Sequence, residues 1–290
     1  MEWTVFCPNC LDLIKYEKKI KYELFHVGHP ITCDKCSHQF NIFEVWRHIG
    51  TTINEAQDVI EGSLDYIFSQ WAITGGTTEE NDKIKKFMTK NMSDIFLKEI
   101  INDSLMWGTC FIKYTKIDGE IKLEVIDPCD YKIITEHKMS SGGSGAYLGE
   151  QVKTMINYKT GEEIPRSNLI LLCVSLHHNI NADLGDSVLG GWFITWLNIT
   201  LAKKSLMRIS PQNPDYAEIQ KFLKNMIEGT QHQYLQRLDN GRNSRHMLSS
   251  TIENEIFSLI TPREETTITE RMKDDYIASP KIEFLKDSSL

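Results

Sequence analysis

Between Asn41 and Gln70 the apolar residues Ile42, Val45, Trp46, Ile49, Ile53, Ala56, Val59, Ile60, Leu64 and Ile67 recur mostly three or four positions apart. That is the spacing of one helical face, and it predicts a helix or a helix pair. The polar stretch Ile73–Asp82 predicts a loop, with glycines to turn the chain and threonine or acidic residues to cap the next helix. A second helical pattern runs from Lys83 to about Met106 through Ile84, Phe87, Met88, Met92, Ile95, Phe96, Ile100, Ile101 and Leu105, and it ends at Gly108. The period then changes to two. Thr109–Lys116 and Gly119–Asp127 alternate around Asp118–Gly119, a short-range hairpin signal, and Pro128 stops the second strand. Tyr131–Thr135 predicts a further strand, and the Gly- and Ser-rich MSSGGSGAYLG a loop. Gln151–Tyr158 and Asn168–Ser175, on either side of a Thr160–Gly161 turn, predict another hairpin-like pair. Helical spacing returns at Ser187, with Asp186 or Ser187 as cap and Val188, Trp192, Phe193, Trp196, Ile199 and Leu206 on a broad apolar face. Pro211 and Pro214 end that helix, and Tyr216–Met226 forms another amphipathic segment. From Gly229 the chain turns polar, then regains apolar content at Ile256–Ile260 and Ile282–Leu285.

The first forty residues obey a different logic. Cys7, Cys10, Cys33 and Cys36 form two C-x-x-C pairs with 22 residues between them, slightly beyond the common zinc-ribbon spacing. Each pair sets two thiolates on one tight turn, and two turns supply a closed tetrahedral four-cysteine site for a structural Zn2+. Disulfides would need an oxidising compartment, and a redox C-x-x-C should occur once, ahead of a helix, rather than twice. His26, His29 and His38 lie near enough to substitute as ligands, but four cysteines already close the shell. A closed shell offers no open position for catalysis by the metal. A module this small folds on its metal, so its disruption is expected to spare the rest of the chain. Cys110, Cys129 and Cys173 lie in or beside apolar strands and read as buried small hydrophobes.

Composition narrows the class. At 290 residues about two units are expected, and the apolar fraction of 41% is that of a globular protein. A net charge of −8 argues against a surface built to wrap duplex DNA. No apolar run reaches the roughly 18 residues of a membrane span, so the reading is a soluble, intracellular protein. The chain has no G-x-S-x-G elbow, no H-E-x-x-H, no Walker motif and no convincing G-x-G-x-x-G turn. His177 and His178 come after a strand end without a sequence partner, and Glu79–Glu80 and Asp274–Asp275 read as solvated surface. Trp192 and Trp196 share a helical face. They fit core packing, and they also fit a subunit interface, where tryptophan is enriched. Lys203, Lys204 and Arg208 suit the helix dipole and need no nucleic acid to explain them.

The run from Met92 to Ile134 carries Trp107–Gly108, the strands flanking Asp118–Gly119, and Asp127–Pro128. Further on come Gly185, Ser187 and Leu189 as G-x-S-x-L, then Arg208–Gln212 as R-x-S-P-Q. This series resembles the portal proteins of tailed phages, and its later part the contractile-tailed branch, over roughly Thr89 to Leu285. The resemblance implies an α+β, non-enzymatic protein. A zinc-ribbon module at 1–42 would precede a wing-like domain at 43–186, a stem-like helix at 187–209 and a clip-like region at 210–262. An incomplete return segment at 263–290 would come last, with long helices and antiparallel strand pairs throughout. It further implies a ring-shaped homo-oligomer, a dodecamer in the family, made in the host cytoplasm and placed at the capsid vertex of the virion. Its partners would be capsid protein, the packaging motor, tail connector proteins and double-stranded DNA passing without sequence specificity, with no membrane contact. The ribbon departs from the family pattern, as an added docking module. The chain stops at KIEFLKDSSL, about where family members continue, so a fragment or a reduced portal is expected. The alternative is a zinc-ribbon nucleic-acid-binding or transcription-associated factor, supported by Lys15, Lys18, Lys19 and Lys21 near Tyr16, Tyr22 and Phe25.

Overall fold

The computed structural model describes residues 3–16, 28–67, 70–117, 119–139, 147–173, 184–185, 187–189, 193–238, 248–249, 252–261 and 280–285. Two small hairpins come first. β1 (Trp3–Phe6) pairs with β2 (Leu13–Tyr16), and β3 (Ile31–Thr32) with β4 (Gln39–Phe40), each pair antiparallel. The helical stretch predicted after them is a helix pair, α1 (Ile42–Thr52) and α2 (Asn54–Ile67), broken at the extended residue Ile53. Asn41 starts α1 by accepting the Glu44 N–H at 3.2 Å. Its amide also donates to the carbonyls of Pro128 and Tyr131 at 2.9 and 3.1 Å. One buried side chain therefore joins ribbon, helix and sheet.

Three expectations change downstream. Gln70–Thr74 is a strand, β5, rather than the end of a helix and the start of a loop. The loop shrinks to a few residues because Thr77 and Glu80 form a reciprocal capping box that starts α3 (Thr78–Asn91) well before Lys83. The second helical pattern is also two helices. Met92 closes α3, and Ser93 accepts the Phe96 N–H at 3.3 Å to open α4 (Asp94–Trp107). Gly108 then ends α4 in the left-handed region, at φ 85°, as its position predicts.

The hairpin forms as β6 (Thr109–Ile117) and β7 (Glu120–Ile126), with Gly119 at φ 83° in the turn; Asp118 lies outside the described residues. β8 (Tyr131–Met139) pairs with β9 (Tyr147–Asn157), and β9 with the short β10 (Glu163–Pro165). The second predicted pair is a correction. β11 (Leu169–Cys173) leaves β9 and runs antiparallel to β6, giving the order β11-β6-β7. All five β11 residues are buried, which is why the segment lacks alternation. α4 covers this sheet, and Ser104 Oγ lies 2.8 Å from the carbonyls of both Ile100 and Leu172, which share its single O–H.

The later helices are α5 (Phe193–Leu206) and α6 (Pro214–Leu238). Pro214 begins α6 rather than ending α5, since a proline at the first helical position forfeits no hydrogen bond. α6 also runs past Gly229. Residues Pro214–Leu238 of the segment expected to be clip-like are thus one helix packed against α5 and α2. Ile252–Phe257 is a wide π-helical turn running into Ser258–Ile260. β12 (Lys281–Leu285) returns to pair with β5, held by the Glu253 carboxylate, which accepts the Ile282 N–H at 2.9 Å.

Of the two readings offered for Trp196, core packing holds and the subunit-interface reading is corrected. Trp196 is 0% exposed within the chain itself, beside buried Ile199 and Thr200, so it is a core residue and presents no surface to a neighbouring subunit. Trp192 and Asp186 lie outside the described residues, as do His26, His177, His178, Lys18, Lys19, Lys21, Asp274, Asp275 and most of the 263–290 return segment.

The hydrophobic core is continuous. Val5, Phe6, Ile31 and Phe40 of the ribbon belong to the same cluster as Phe43, Trp46 and Ile49 of α1 and Phe111 of β6. The ribbon is consequently not packed as a detachable bead.

Candidate metal centre

Both C-x-x-C turns are built alike. In the first, the Cys7 N–H donates to Asp12 O and the Leu11 N–H to Cys7 O; in the second, the Cys33 N–H donates to His38 O and the Ser37 N–H to Cys33 O. The residue after each second cysteine takes a left-handed conformation, Leu11 at φ 57° and Ser37 at φ 56°. Such angles are uncommon for residues with a Cβ. They persist because the hydrogen-bonded turn and its flanking hairpin fix the chain on both sides.

The two turns face each other and bring Cys7, Cys10, Cys33 and Cys36 together, with all four Sγ atoms within 4.8 Å of one another. Cys7–Cys36 and Cys10–Cys33 are each 3.6 Å apart. Tetrahedral zinc–sulfur bonds of about 2.3 Å would set sulfurs about 3.8 Å apart. A disulfide would need about 2.05 Å. The four cysteines could hold a metal ion, and their spacing matches a single tetrahedral centre.

The surroundings are prepared for negative sulfur. Asn9 Nδ2 donates to Cys36 Sγ at 3.7 Å. The backbone N–H of His38 points at the same sulfur and holds Cys36 well below the usual thiol range, at about 6. Cys7 is the opposite case: burial pushes its thiol up to about 12, despite the N–H groups of Cys10 and Asn9. Burial also raises Cys10. Cys36 thus favours ionisation while Cys7 and Cys10 resist it, and a bound cation resolves that conflict, because coordination deprotonates thiols outright.

The outer contacts anchor the site. His38 Nε2 and Glu44 Oε1 of α1 are 2.7 Å apart, and the His38 ring stacks on Phe40. His38 therefore serves α1 through its ring and Cys36 through its backbone, and is not a fifth ligand. Lys35 pairs with Asp12 at 3.1 Å across the two turns. Phe6 meets the His48 ring edge-on, at 5.4 Å between centroids. Lys204, from α5, donates to the carbonyls of Cys10 and Leu11 at 3.2 and 2.8 Å. Sequence reasoning assigned Lys204 only to the helix dipole. The readable signal for the second turn was the repeat itself, since a strand, C-x-x-C and a strand occur twice in the same order.

Outside this centre the remaining cysteines are buried, as the sequence predicts. Burial pushes Cys110 and Cys129 far up, which suppresses thiolate chemistry. Arg47 pairs with Asp127 and lies over the Trp107 ring at 5.6 Å. Burial would raise Asp127, but Arg47 and the Cys129 N–H hold it below its ordinary value. On the adjacent face of α4, burial and then the charge of Glu99 push Asp103 up to about 7, against a hydrogen bond from Asn102 and the attraction of Arg47. A carboxyl raised in the folded state contributes stability that is complete below the ordinary carboxyl range and is lost as pH rises through the folded value. Relative to Asp103→Asn, the wild type should therefore lose melting temperature from about pH 4 to pH 8. Parallel melting-temperature profiles for the two proteins would contradict this.

Among the described residues, no helix is long and apolar enough to cross a membrane. No protein-family model matches the chain, and no curated protein is significantly similar to it.

Proposed function

We propose that this chain is a subunit of a portal-type ring that passes double-stranded DNA at a tailed-phage capsid vertex, and that its four-cysteine centre holds structural zinc. The observation that carries the ring reading is how the segments bearing the resemblance meet. The Gly185 N–H donates to Thr109 Oγ1 at 2.8 Å, directly after Gly108. The Val188 N–H donates to the Leu105 carbonyl at 2.9 Å, and Ser187 Oγ accepts the Leu189 N–H at 3.1 Å. Trp107–Gly108 and the G-x-S-x-L segment, far apart in sequence, thus form one junction, where Val188 and Leu189 are buried. Asp127, directly after β7, caps the turn at Pro128 through the Cys129 N–H at 3.0 Å.

On this reading the ring contact lies away from Trp196. Met207, just past α5, and Phe222 on α6 are 86% and 53% exposed, and they leave apolar surface there. The acidic net charge suits a conduit that must let phosphates slide. Zinc fits the centre because an all-thiolate tetrahedral shell closes around it without redox chemistry.

The test is native mass spectrometry with negative-stain imaging of the purified chain. A closed ring of many subunits is expected. A protein that stays monomeric at high concentration and binds nucleic acid through its ribbon would replace the portal reading with the nucleic-acid factor.

A further inference from the structure

Lys204 stands in the last turn of α5, yet its ammonium serves a turn of the ribbon nearly two hundred residues away. The two carbonyls it reaches, those of Cys10 and Leu11, flank the peptide at which the first C-x-x-C turn swings into its left-handed residue. Carbonyls at such a turn have no partner within the turn, and an ammonium with three donors can satisfy both. Lys35, the other lysine at this place, is paired with Asp12 at the exposed rim.

The electrostatics point the same way. Four thiolates around a divalent cation leave a net dianion, partly buried between the turns. A cation fixed beside one ligand's own carbonyl lowers the cost of that charge and holds the ligand's backbone still. Groups that orient metal ligands in this manner typically govern affinity by about 10–100-fold.

We infer that Lys204 is a positioning residue for the metal centre: from α5 it braces the Cys10 turn, offsets the charge of the loaded site, and makes the order of α5 depend on the bound metal. This rests on the zinc reading above. It goes beyond that reading by joining the ribbon to α5, which packs against α6. The brace complements a second tie, in which His38 meets Glu44 of α1. The metal centre is thus gripped by two helices that are distant in sequence.

The experiment uses the full chain with its native metal, and variants Lys204→Met, which keeps the length without the charge, and Lys204→Arg, which restores both charge and donors. Metal content of the wild type is measured first, and the rate of zinc transfer to a chromogenic chelator second. Lys204→Met should release zinc about tenfold faster or more, and Lys204→Arg should return towards the wild-type rate. Hydrogen exchange supplies a readout that a purely local packing role would not move. Chelation should raise exchange in residues 193–206 of the wild type, whereas in Lys204→Met exchange there should already be raised and respond little. Wild-type zinc release from Lys204→Met, or exchange in α5 indifferent to chelation, would overturn the inference while leaving the zinc site standing. A wild type that carries no zinc would remove the zinc reading and this inference together.

Discussion

Cys33→Ser should empty the metal centre and unfold more than the first forty residues. A serine cannot replace the thiolate, and a four-ligand site without one ligand loses its closed shell. Metal content should fall from about one zinc per chain to near zero, since structural zinc contributes on the order of 10 kcal/mol to the folding of such modules. The damage should spread because Phe6 and Phe40 are fully buried in the same core as Phe43, Trp46 and Ile49. Opening the ribbon therefore uncovers α1. The melting temperature should drop by roughly 10 °C or more, as several kcal/mol would require in a chain of this size. Cys129→Ser, at a buried cysteine that is not one of the four clustered ligands, should leave metal content unchanged. Full zinc content and an unaltered melting curve in Cys33→Ser would refute the assignment.

The second large effect is expected at Trp196. Trp196→Ala should cost about 3–5 kcal/mol, the usual loss when a large aromatic is deleted from a core. Its indole N–H is buried and has no hydrogen-bond partner among the described residues. Trp196→Phe removes that unsatisfied donor along with part of the volume, so it should cost clearly less than Trp196→Ala. Chemical denaturation of the three proteins measures both differences. An alanine variant as stable as the wild type, altered only in its assembly, would place Trp196 at a subunit contact after all.

These two residues mark how far the sequence could be read. The cysteine turns were legible because their geometry is local: two residues between ligands fix a turn whatever lies beyond. Gly108 and Gly119 were legible for the same reason, since each supplies a positive φ at a predictable stop or turn. Pairings between distant segments were not. β11 alternates poorly because both its faces are covered, and nothing near it names β6 as its partner. The five residues of β5 passed for the end of a helix and the start of a loop because, among the described residues, their ladder is with the distant β12. The break between α3 and α4 was hidden by unbroken apolar periodicity, although Ser93 was present as a cap. Trp196 fitted both a core and an interface in one dimension. Lys204 carried a sufficient local explanation, the helix dipole, that concealed its contact with the ribbon.

The β5–β12 ladder bears on how the protein is made. Thr74 pairs with Lys281 and Gln70 with Leu285, so a strand that leaves the ribosome early must wait for one that leaves late. Until then its backbone donors and acceptors are unmatched, and an unpaired edge of that kind invites the wrong partner. Residues 70–74 are therefore where crowded nascent chains are most exposed to pairing with each other, and where a chaperone would have the longest interval in which to act.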